Sequence, residues 1–377
     1  MLLELNSEQE FLQRTTARFL EDHAPAEKIR RLREDPAGFA SDYWRLGAEL
    51  GWTSLLVSED HGGVAVSESG LVDLSLVAHE FGKHAAPGPL LTANVVAAAL
   101  SAAGAETDLI GALLDGSAIA SWCHAELGGG LSQTACEITA AGGELVVTGE
   151  KRPVESATQA SHFLVTGRTG DGLSQVLVPA DEKGVTVEPM HSVDLTRRFS
   201  KVKFEGVRVP ASAALGELGD AAQQVECQLQ QALVIANAET VGAMQRAFDM
   251  TVEWAFDRYS FGRPLASYQA LKHRFAHMAT WLEASHAISD EAAQAVATGA
   301  ANAGKLVSAA KSYIGDNGAE LVQDCVQLHG GIGVTFEHDL HLFLRRVTLC
   351  RALLGTPAAH RRRIAAFVAK EEGSAHG

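Results

Sequence analysis

The stretch Gln327-Leu328-His329-Gly330-Gly331-Ile332-Gly333 is the most informative part of this chain. It places two adjacent glycines directly after a helix-like run, Ala309–Val326. Glycine has no Cβ, so main-chain N–H groups at such a pair approach a ligand more closely than other residues allow. The interior of a packed helix disfavours glycine. The stretch therefore indicates a segment that binds a large polar ligand.

Hydrophobic periodicity divides the chain into three regions and predicts an α+β fold. Residues 1–118 and 213–377 have apolar residues at helical intervals, and Ser7-Glu8-Gln9-Glu10 matches a helix-capping box. Residues 119–212 alternate with a period of two, as in a small antiparallel barrel or sandwich. We predict an N-terminal helical domain, a middle antiparallel β domain and a C-terminal antiparallel helical bundle. The predicted strands are Glu144–Thr148, His162–Thr166, Gln175–Val178, Val185–Val187 and Val202–Phe204.

A second segment, Arg258-Tyr259-Ser260-Phe261-Gly262-Arg263-Pro264, follows a long run with one apolar helical face. This segment, the glycine pair and Gly355-Thr356, in this order on a helical region, resemble the acyl-CoA dehydrogenase family. The resemblance covers most of the chain and implies the same helical, β, helical order. This chain is similar to subunits of heteromeric acyl-CoA dehydrogenases of actinobacterial type. The shared features include the stretch Asp194-Leu195-Thr196-Arg197-Arg198.

The resemblance implies FAD as the cofactor, shared across a subunit interface, and an acyl-CoA as the substrate. An electron-transfer flavoprotein is the implied electron acceptor. The chemistry of the residues agrees, since Arg258 offers charge-assisted hydrogen bonds to a pyrophosphate and Phe261 offers an aromatic surface. The implied cofactor-binding residues are Arg258, Ser260, Phe261, Gln327, Gly330, Gly331 and Thr356.

The β region departs from the family pattern at the flavin ring. In family members a segment matching Trp122–Leu131 carries a hydroxyl residue that binds the ring, where this chain has Ala125. A second segment normally places an aromatic residue and a threonine there, where this chain has Pro153 and Glu155. Hydrogen bonds near the ring set its electronics, and a carboxylate beside it would disfavour hydride acceptance. We therefore expect an eroded flavin-ring site.

The catalytic base is also missing from both of its usual places. Family members abstract the α-proton with a glutamate, a contribution of roughly 10²–10⁴-fold. That glutamate precedes the C-terminal Gly-Thr or lies on the long helix, and the matching residues here are Leu354 and Ala232. Neither side chain accepts a proton, so no catalytic residue is identified. Glu226 and Glu239, on the same predicted helix, are weak substitute candidates whose ordinary roles are solvated or capping ones.

Other chemistries are disfavoured by the sequence. His273 and His277 have helical spacing but no third ligand nearby, and we expect no metal. A net charge of -15 argues against nucleic acid as a partner. No apolar stretch approaches the roughly 18 residues of a membrane span, and Met1–Glu10 lacks the basic residues of a secretory leader. Five cysteines without CxxC spacing suit reduced thiols, so we expect a cytoplasmic protein.

Three hypotheses remain open from the sequence. The preferred one is a base-lacking subunit of a heteromeric α2β2 acyl-CoA dehydrogenase that oxidises fatty acyl or steroid side-chain CoA esters. A homologous partner subunit would then supply the glutamate and the flavin-ring contacts. The second is a self-sufficient homotetramer with a relocated base. The third is a flavin-free structural or acyl-CoA-binding protein.

Overall fold

The structure is a computed structural model that describes residues 4–105, 107–128 and 134–375. Helices precede and follow a central sheet, which confirms the predicted α+β architecture. The helices are α1 Ser7–His23, α2 Ala26–Arg31, α3 Ser41–Glu49, α4 Gly70–Lys83, α5 Leu90–Ala103, α6 Thr107–Leu114, α7 Ala222–Asp257, α8 Gln269–Ala297, α9 Ala303–His329, α10 Leu340–Ala352 and α11 Pro357–Ala375. The strands are β1 Ala120–Cys123, β2 Glu137–Ala141, β3 Glu144–Glu155, β4 His162–Thr169, β5 Gly172–Pro179, β6 Val185–Met190, β7 Phe199–Pro210, β8 Tyr259–Ser260 and β9 Arg263–Pro264.

The chain separates into two compact units, each assembled from separate parts of the sequence. The bundle unit contains Met1–Ile29, Ser75–Ala86 and Leu233–Gly377. The sheet unit contains Arg30–Leu74 and Pro87–Ala232. The division into three sequence domains at residues 118 and 212 stays a prediction.

The sheet unit is built on seven strands in the order β1-β4-β2-β3-β7-β6, with β5 paired to β4. Most pairs are antiparallel, and the long strands β3 and β7 run together from Glu144 opposite Pro210 to Glu155 opposite Phe199. The exceptions are β1, which is parallel to β4, and one parallel pairing of β2 with β4. The core on this sheet includes Ile138, Val147, Phe163, Val165, Val176, Val178, Val202 and Phe204.

All five predicted strands lie inside observed strands, but two strands of the seven-stranded sheet, β1 and β2, have no counterpart in the prediction. Strand β1 is buried at every position, so it has no alternation to detect. Strand β2 has the opposite pattern, with Ile138 as its only buried residue. The predicted capping box is shifted by one residue, because the amide of Asn6, rather than Ser7, caps α1 and exchanges hydrogen bonds with Gln9.

In the bundle unit, helices α4 and α7 cross with their backbones in close contact. A Cβ added to Gly82 would lie 1.8 Å from the carbonyl oxygen of Glu239. On the facing helix, a Cβ added to Gly242 would lie 1.9 Å from the carbonyl oxygen of His79. Two glycines at reciprocal positions therefore set the distance between these helices. Within the described ranges, no helix is both long enough and apolar enough to cross a bilayer.

We predict that Gly242→Ala destabilises the protein. The added methyl group would force α4 and α7 apart, at an overpacking cost of about 1–3 kcal/mol. The matched control is Gly111→Ala in α6, where no described heavy atom lies within 4 Å of the added Cβ. Helix propensity makes that change stabilising by about 0.5–1 kcal/mol. Thermal unfolding of both variants checks the difference, and equal shifts would contradict the close crossing.

Candidate functional site

The arginine-containing segment forms a short, rigid hairpin at the end of α7. Strands β8 and β9 pair Tyr259 with Pro264 and Ser260 with Arg263. The connecting residues have φ values of 51° at Phe261 and 79° at Gly262, the combination that a two-residue type I′ turn requires. The Phe261 ring at the tip is 97% exposed. The hairpin therefore presents an aromatic surface to something outside the chain.

Contacts from Tyr268 hold this hairpin in place. The Tyr268 hydroxyl donates a hydrogen bond of 2.7 Å to the carbonyl oxygen of Ser260. The Arg263 guanidinium carbon lies 3.8 Å from the centre of the Tyr268 ring, a cation–π contact. Arg258, at the base of the hairpin, is exposed and its charge is directed to the surface.

The glycine pair lies where α9 ends and a 3-10 turn, Gly330–Val334, begins. Gly330 has φ 65° and ψ −139°, a conformation that only glycine adopts readily. Gly331 has no such conformational requirement. At both positions, no heavy atom of the described residues lies within 4 Å of an added Cβ. Intramolecular packing therefore does not explain Gly331, whereas an approaching ligand would.

Gly333 has a different role from the pair before it. A Cβ there would lie 2.6 Å from the carbonyl oxygen of Val326, so this glycine is needed for packing within the turn. Gln327 is exposed on the last turn of α9. The exposed part of the motif thus consists of Gln327, Gly330 and Gly331.

The structure brings the two predicted segments together at Trp254. The Trp254 ring stacks on His329, which directly precedes Gly330, with ring centroids 5.3 Å apart. The Arg258 guanidinium carbon lies 5.9 Å from the same indole. Arg258 and the glycine pair are therefore neighbours in space, as the sequence predicted for a shared ligand.

Thr356 lies apart from this group. Its hydroxyl accepts a hydrogen bond of 3.3 Å from the N–H of Ala359 and caps α11, whose first residue is Pro357. A Cβ on Gly315 would lie 2.9 Å from Pro357, so α11 starts against the middle of α9. That point is roughly 20 Å along the helix from His329. Thr356 would therefore contact another part of a ligand, or none.

The positions of the usual base are apolar in the structure as in the sequence. Ala232 is fully buried on α7. Leu354 follows α10 with φ 59°, and its carbonyl oxygen accepts a hydrogen bond of 2.9 Å from Nε2 of the buried His360. Burial lowers the pKa of His360 from 6.5 to about 4, so the imidazole is neutral at physiological pH.

The two substitute candidates have intramolecular roles. Glu239 is buried and pairs with the fully buried Arg346 at 2.6 Å. Arg346 also donates hydrogen bonds to the carbonyl oxygens of Ala85 and Ala86, at 3.1 and 3.0 Å. Glu226 is partly buried in the first turns of α7 and accepts a hydrogen bond of 2.6 Å from Gln230. Ion pairing gives Glu239 a structural role, and neither contact prepares a carboxylate for proton abstraction.

In the sheet unit, the charge of Glu155 is neutralised within the chain. Its carboxylate forms a two-point ion pair with Arg197, at 2.5 and 2.8 Å, and both side chains are buried. Asp194 positions Arg197 by accepting hydrogen bonds from the N–H groups of Thr196 and Arg197. The predicted effect of Glu155 on hydride acceptance did not include this compensating cation. Sequence reasoning missed Arg197, although the Asp194–Arg198 stretch was a signal for it.

A second buried ion pair fixes the loop after β1. The ammonium of Lys151, with no exposed surface, lies 2.6 Å from Glu126 and also donates to the His124 carbonyl and the Thr134 hydroxyl. Although burial raises it, hydrogen bonds to Glu126 from Lys151, the Thr134 hydroxyl and the Ala135 N–H lower its pKa to about 2. Ala125 contributes its carbonyl oxygen to the Arg152 N–H. The part of the predicted ring segment at residues 129–131 lies outside the described residues.

No metal site emerges from the described part of the chain. There, no group of three or more His, Cys, Asp and Glu side chains is arranged to hold an ion. The absence of a metal cofactor stays a prediction.

Comparison with known proteins identifies the class to which this fold belongs. The model of the acyl-CoA dehydrogenase N-terminal domain matches residues 6–108, and that of the C-terminal domain matches residues 225–369. Acyl-CoA dehydrogenase IpdE2 of Mycolicibacterium smegmatis is 31% identical over 97% of this chain and 100% of its own length. The chain belongs to the acyl-CoA dehydrogenase family, whose members are FAD-dependent oxidoreductases.

Solved structures agree with this assignment. A variant of the steroid ACAD Tcur3481-Tcur3483 has a TM-score of 0.88 and 27% identity, covering 97% of this chain and 99% of that chain. A glutaryl-CoA dehydrogenase from Mycobacterium smegmatis, in complex with FADH2, has a TM-score of 0.88 at 19% identity. It covers 97% of this chain and 95% of that chain, and supports the fold alone.

We predict that His360 makes stability pH-dependent. Its folded-state pKa is lowered to about 4, so the unfolded chain takes up a proton that the folded chain refuses between pH 6.5 and 4. This stabilising contribution is complete above pH 6.5 and is lost as the pH falls toward 4. The difference in melting temperature between wild type and His360→Gln should therefore narrow over that range. His273→Gln, at an exposed histidine, is the control, and a constant difference for His360→Gln would contradict the burial.

Proposed function

We propose that this chain is the base-lacking subunit of a heteromeric, FAD-dependent acyl-CoA dehydrogenase. Its bundle unit would bind the adenosine and pyrophosphate of an FAD whose flavin ring lies on a homologous partner subunit. The single observation that carries the proposal is the fully buried Ala232 on α7, at one of the two positions where a base is expected. The other position, Leu354, is apolar too.

The exposed segments support the tail-binding half of this proposal. Arg258, Phe261, Gln327, Gly330 and Gly331 are all exposed. The Gly330 N–H donates to the Gln327 carbonyl oxygen, so the glycine pair offers an uncovered backbone rather than two open N–H groups. An arginine, an aromatic ring and such a backbone suit a pyrophosphate joined to an adenine. Ser260, on the hairpin, completes this set, whereas Thr356, at the start of α11, would contact another part of the FAD.

The sheet unit supports the other part of the proposal, that this chain lacks its own flavin-ring contacts. At the positions where family members contact the flavin ring, this chain has a methyl group at Ala125 and a pyrrolidine ring at Pro153. The third position holds the carboxylate of Glu155, which is paired with Arg197. None of these side chains offers a free hydroxyl to a ring nitrogen. In this proposal the partner subunit supplies those contacts, together with the catalytic glutamate.

The reaction would be α,β-dehydrogenation of an acyl-CoA thioester. The partner's base would take the α-proton while the β-hydrogen would leave as hydride, and a trans-2-enoyl-CoA would be formed. Bound FAD supplies the hydride-accepting chemistry, and an electron-transfer flavoprotein would reoxidise it. This chain's contribution is to bind and orient the cofactor, and we place the complex in the cytoplasm.

The relatives suggest the substrate class. The name of one similar solved structure combines two designations, Tcur3481 and Tcur3483, and describes that protein as a steroid ACAD. We therefore propose a CoA ester with a bulky steroid-derived acyl group rather than a straight fatty acyl chain.

We predict that the chain expressed alone is colourless and inactive, and becomes yellow when co-expressed with the partner homologue. Visible spectra and dye reduction with acyl-CoA substrates measure both properties. A yellow, active preparation of the lone chain would instead support a self-sufficient homotetramer. A preparation that stays colourless with every homologous partner would support a flavin-free protein.

We predict that Glu226→Gln leaves the turnover of the assembled complex within about twofold, because a general base would contribute roughly 10²–10⁴-fold. Glu239→Gln should lower the melting temperature, since breaking a buried ion pair costs about 3–5 kcal/mol. Turnover per folded complex should stay close to wild type. Steady-state kinetics corrected for folded protein checks both variants. A hundredfold loss in either one would identify the base on this chain and contradict the proposal.

A further inference from the structure

Trp254 is the side chain at which the two exposed segments meet. It lies on the last turn of α7, one turn before Arg258, and its ring is nearly parallel to that of His329, with an interplanar angle of 16°. Arg258 approaches the same indole at 5.9 Å. One ring therefore contacts a residue from the arginine segment and the residue that precedes the glycine pair.

His338 completes this arrangement, which we call the indole–imidazole cluster (Trp254, His329 and His338). The His338 ring meets His329 at 4.6 Å between centroids and meets Trp254 edge-on at 6.5 Å. The orientation of His329 is fixed by a hydrogen bond of 2.8 Å, which its Nδ1–H donates to the carbonyl oxygen of Cys325. The orientation of the imidazole is thereby coupled to the last turn of α9.

Two buried nitrogens in the cluster have no hydrogen-bond partner among the described residues. They are Nε1 of Trp254 and Nε2 of His329. Buried polar atoms are normally paired, and an apolar side chain would fill this space without leaving such atoms. The cluster keeps both of these nitrogens and lies next to Arg258 and Gly330. The presence of aromatic rings here is therefore better explained by the flat faces they offer to neighbouring groups than by stability alone.

We propose that Trp254 is a positioning residue for the adenosine-pyrophosphate tail of the dinucleotide. Its indole face holds the Arg258 guanidinium in one orientation, and its stacking on His329 fixes the start of the Gly330-Gly331 turn relative to that cation. The charge and the uncovered backbone of the two glycines then face the ligand together before it binds. This inference rests on the proposed function, because it concerns the same ligand-binding segments.

The test measures FAD affinity in the complex with the partner subunit, by flavin fluorescence after removal of bound cofactor. Trp254→Leu should weaken FAD binding roughly five- to tenfold, the scale of one cation–π contact plus lost preorganisation. Trp254→Phe keeps a ring face and should restore most of the affinity. The matched control is Trp281→Leu on α8, where an indole also contacts an arginine, Arg274, at 5.2 Å. That control should leave FAD affinity unchanged.

A double-mutant cycle separates positioning from general damage. If Trp254 acts partly through Arg258, the loss of FAD affinity in the variant with both Trp254→Leu and Arg258→Ala should be smaller than the sum of the two single losses. Additive losses, or equal losses for Trp254→Leu and Trp281→Leu, would overturn the inference. If Trp254→Leu fails to fold, His329→Gln removes the stacking partner and is placed in the same cycle with the same expectation.

Failure of the proposed function has a different signature. Arg258→Ala alone would then leave FAD affinity unchanged, whatever the result at Trp254. A loss with Arg258→Ala and none with Trp254→Leu would leave the proposed function intact and reject only the positioning role.

Discussion

The buried ion pair between Arg346 and Glu239 is the constraint on which the bundle unit depends. Arg346 has no exposed surface, and it joins α10 to α7 and to the carbonyl groups of Ala85 and Ala86 after α4. Removing either charge would leave the other one buried without compensation, which is far more costly than the pair itself. Because α7 continues unbroken from Glu239 to Trp254, this pair also fixes the end of the helix that carries the ligand-binding hairpin.

Local patterns in the sequence predicted much of this structure, whereas contacts between distant residues were beyond them. The periodicity of α7 and the chemistry of Arg258 and Gly331 are readable within a few residues, and the structure has the helix and the exposed glycine. The partners of the two buried glutamates are not readable in this way. Arg197 lies 42 positions from Glu155, and Arg346 lies 107 positions from Glu239. Only the fold brings those charges together.

The distribution of charge is consistent with the proposal that a partner subunit supplies the flavin-ring contacts. Near the proposed flavin-ring positions, the charge of Lys151 is neutralised by an ion pair with Glu126. That of Arg197 is neutralised by an ion pair with Glu155. In the bundle unit, Arg258 remains exposed on a surface that is otherwise aromatic and open. Charges that are satisfied internally hold loops in place, and a charge left at the surface is free to meet a ligand phosphate.

The type I′ hairpin has a consequence for the tendency of the chain to aggregate. Its backbone is too tightly constrained to fold back, so Phe261 cannot hide in the interior, and the nearby Tyr259 and Phe256 are 62% and 65% exposed as well. Aromatic groups displayed this way favour adhesion between molecules. If the proposed partner subunit covers this hairpin, the chain without that partner would leave the rings exposed and would be prone to aggregate.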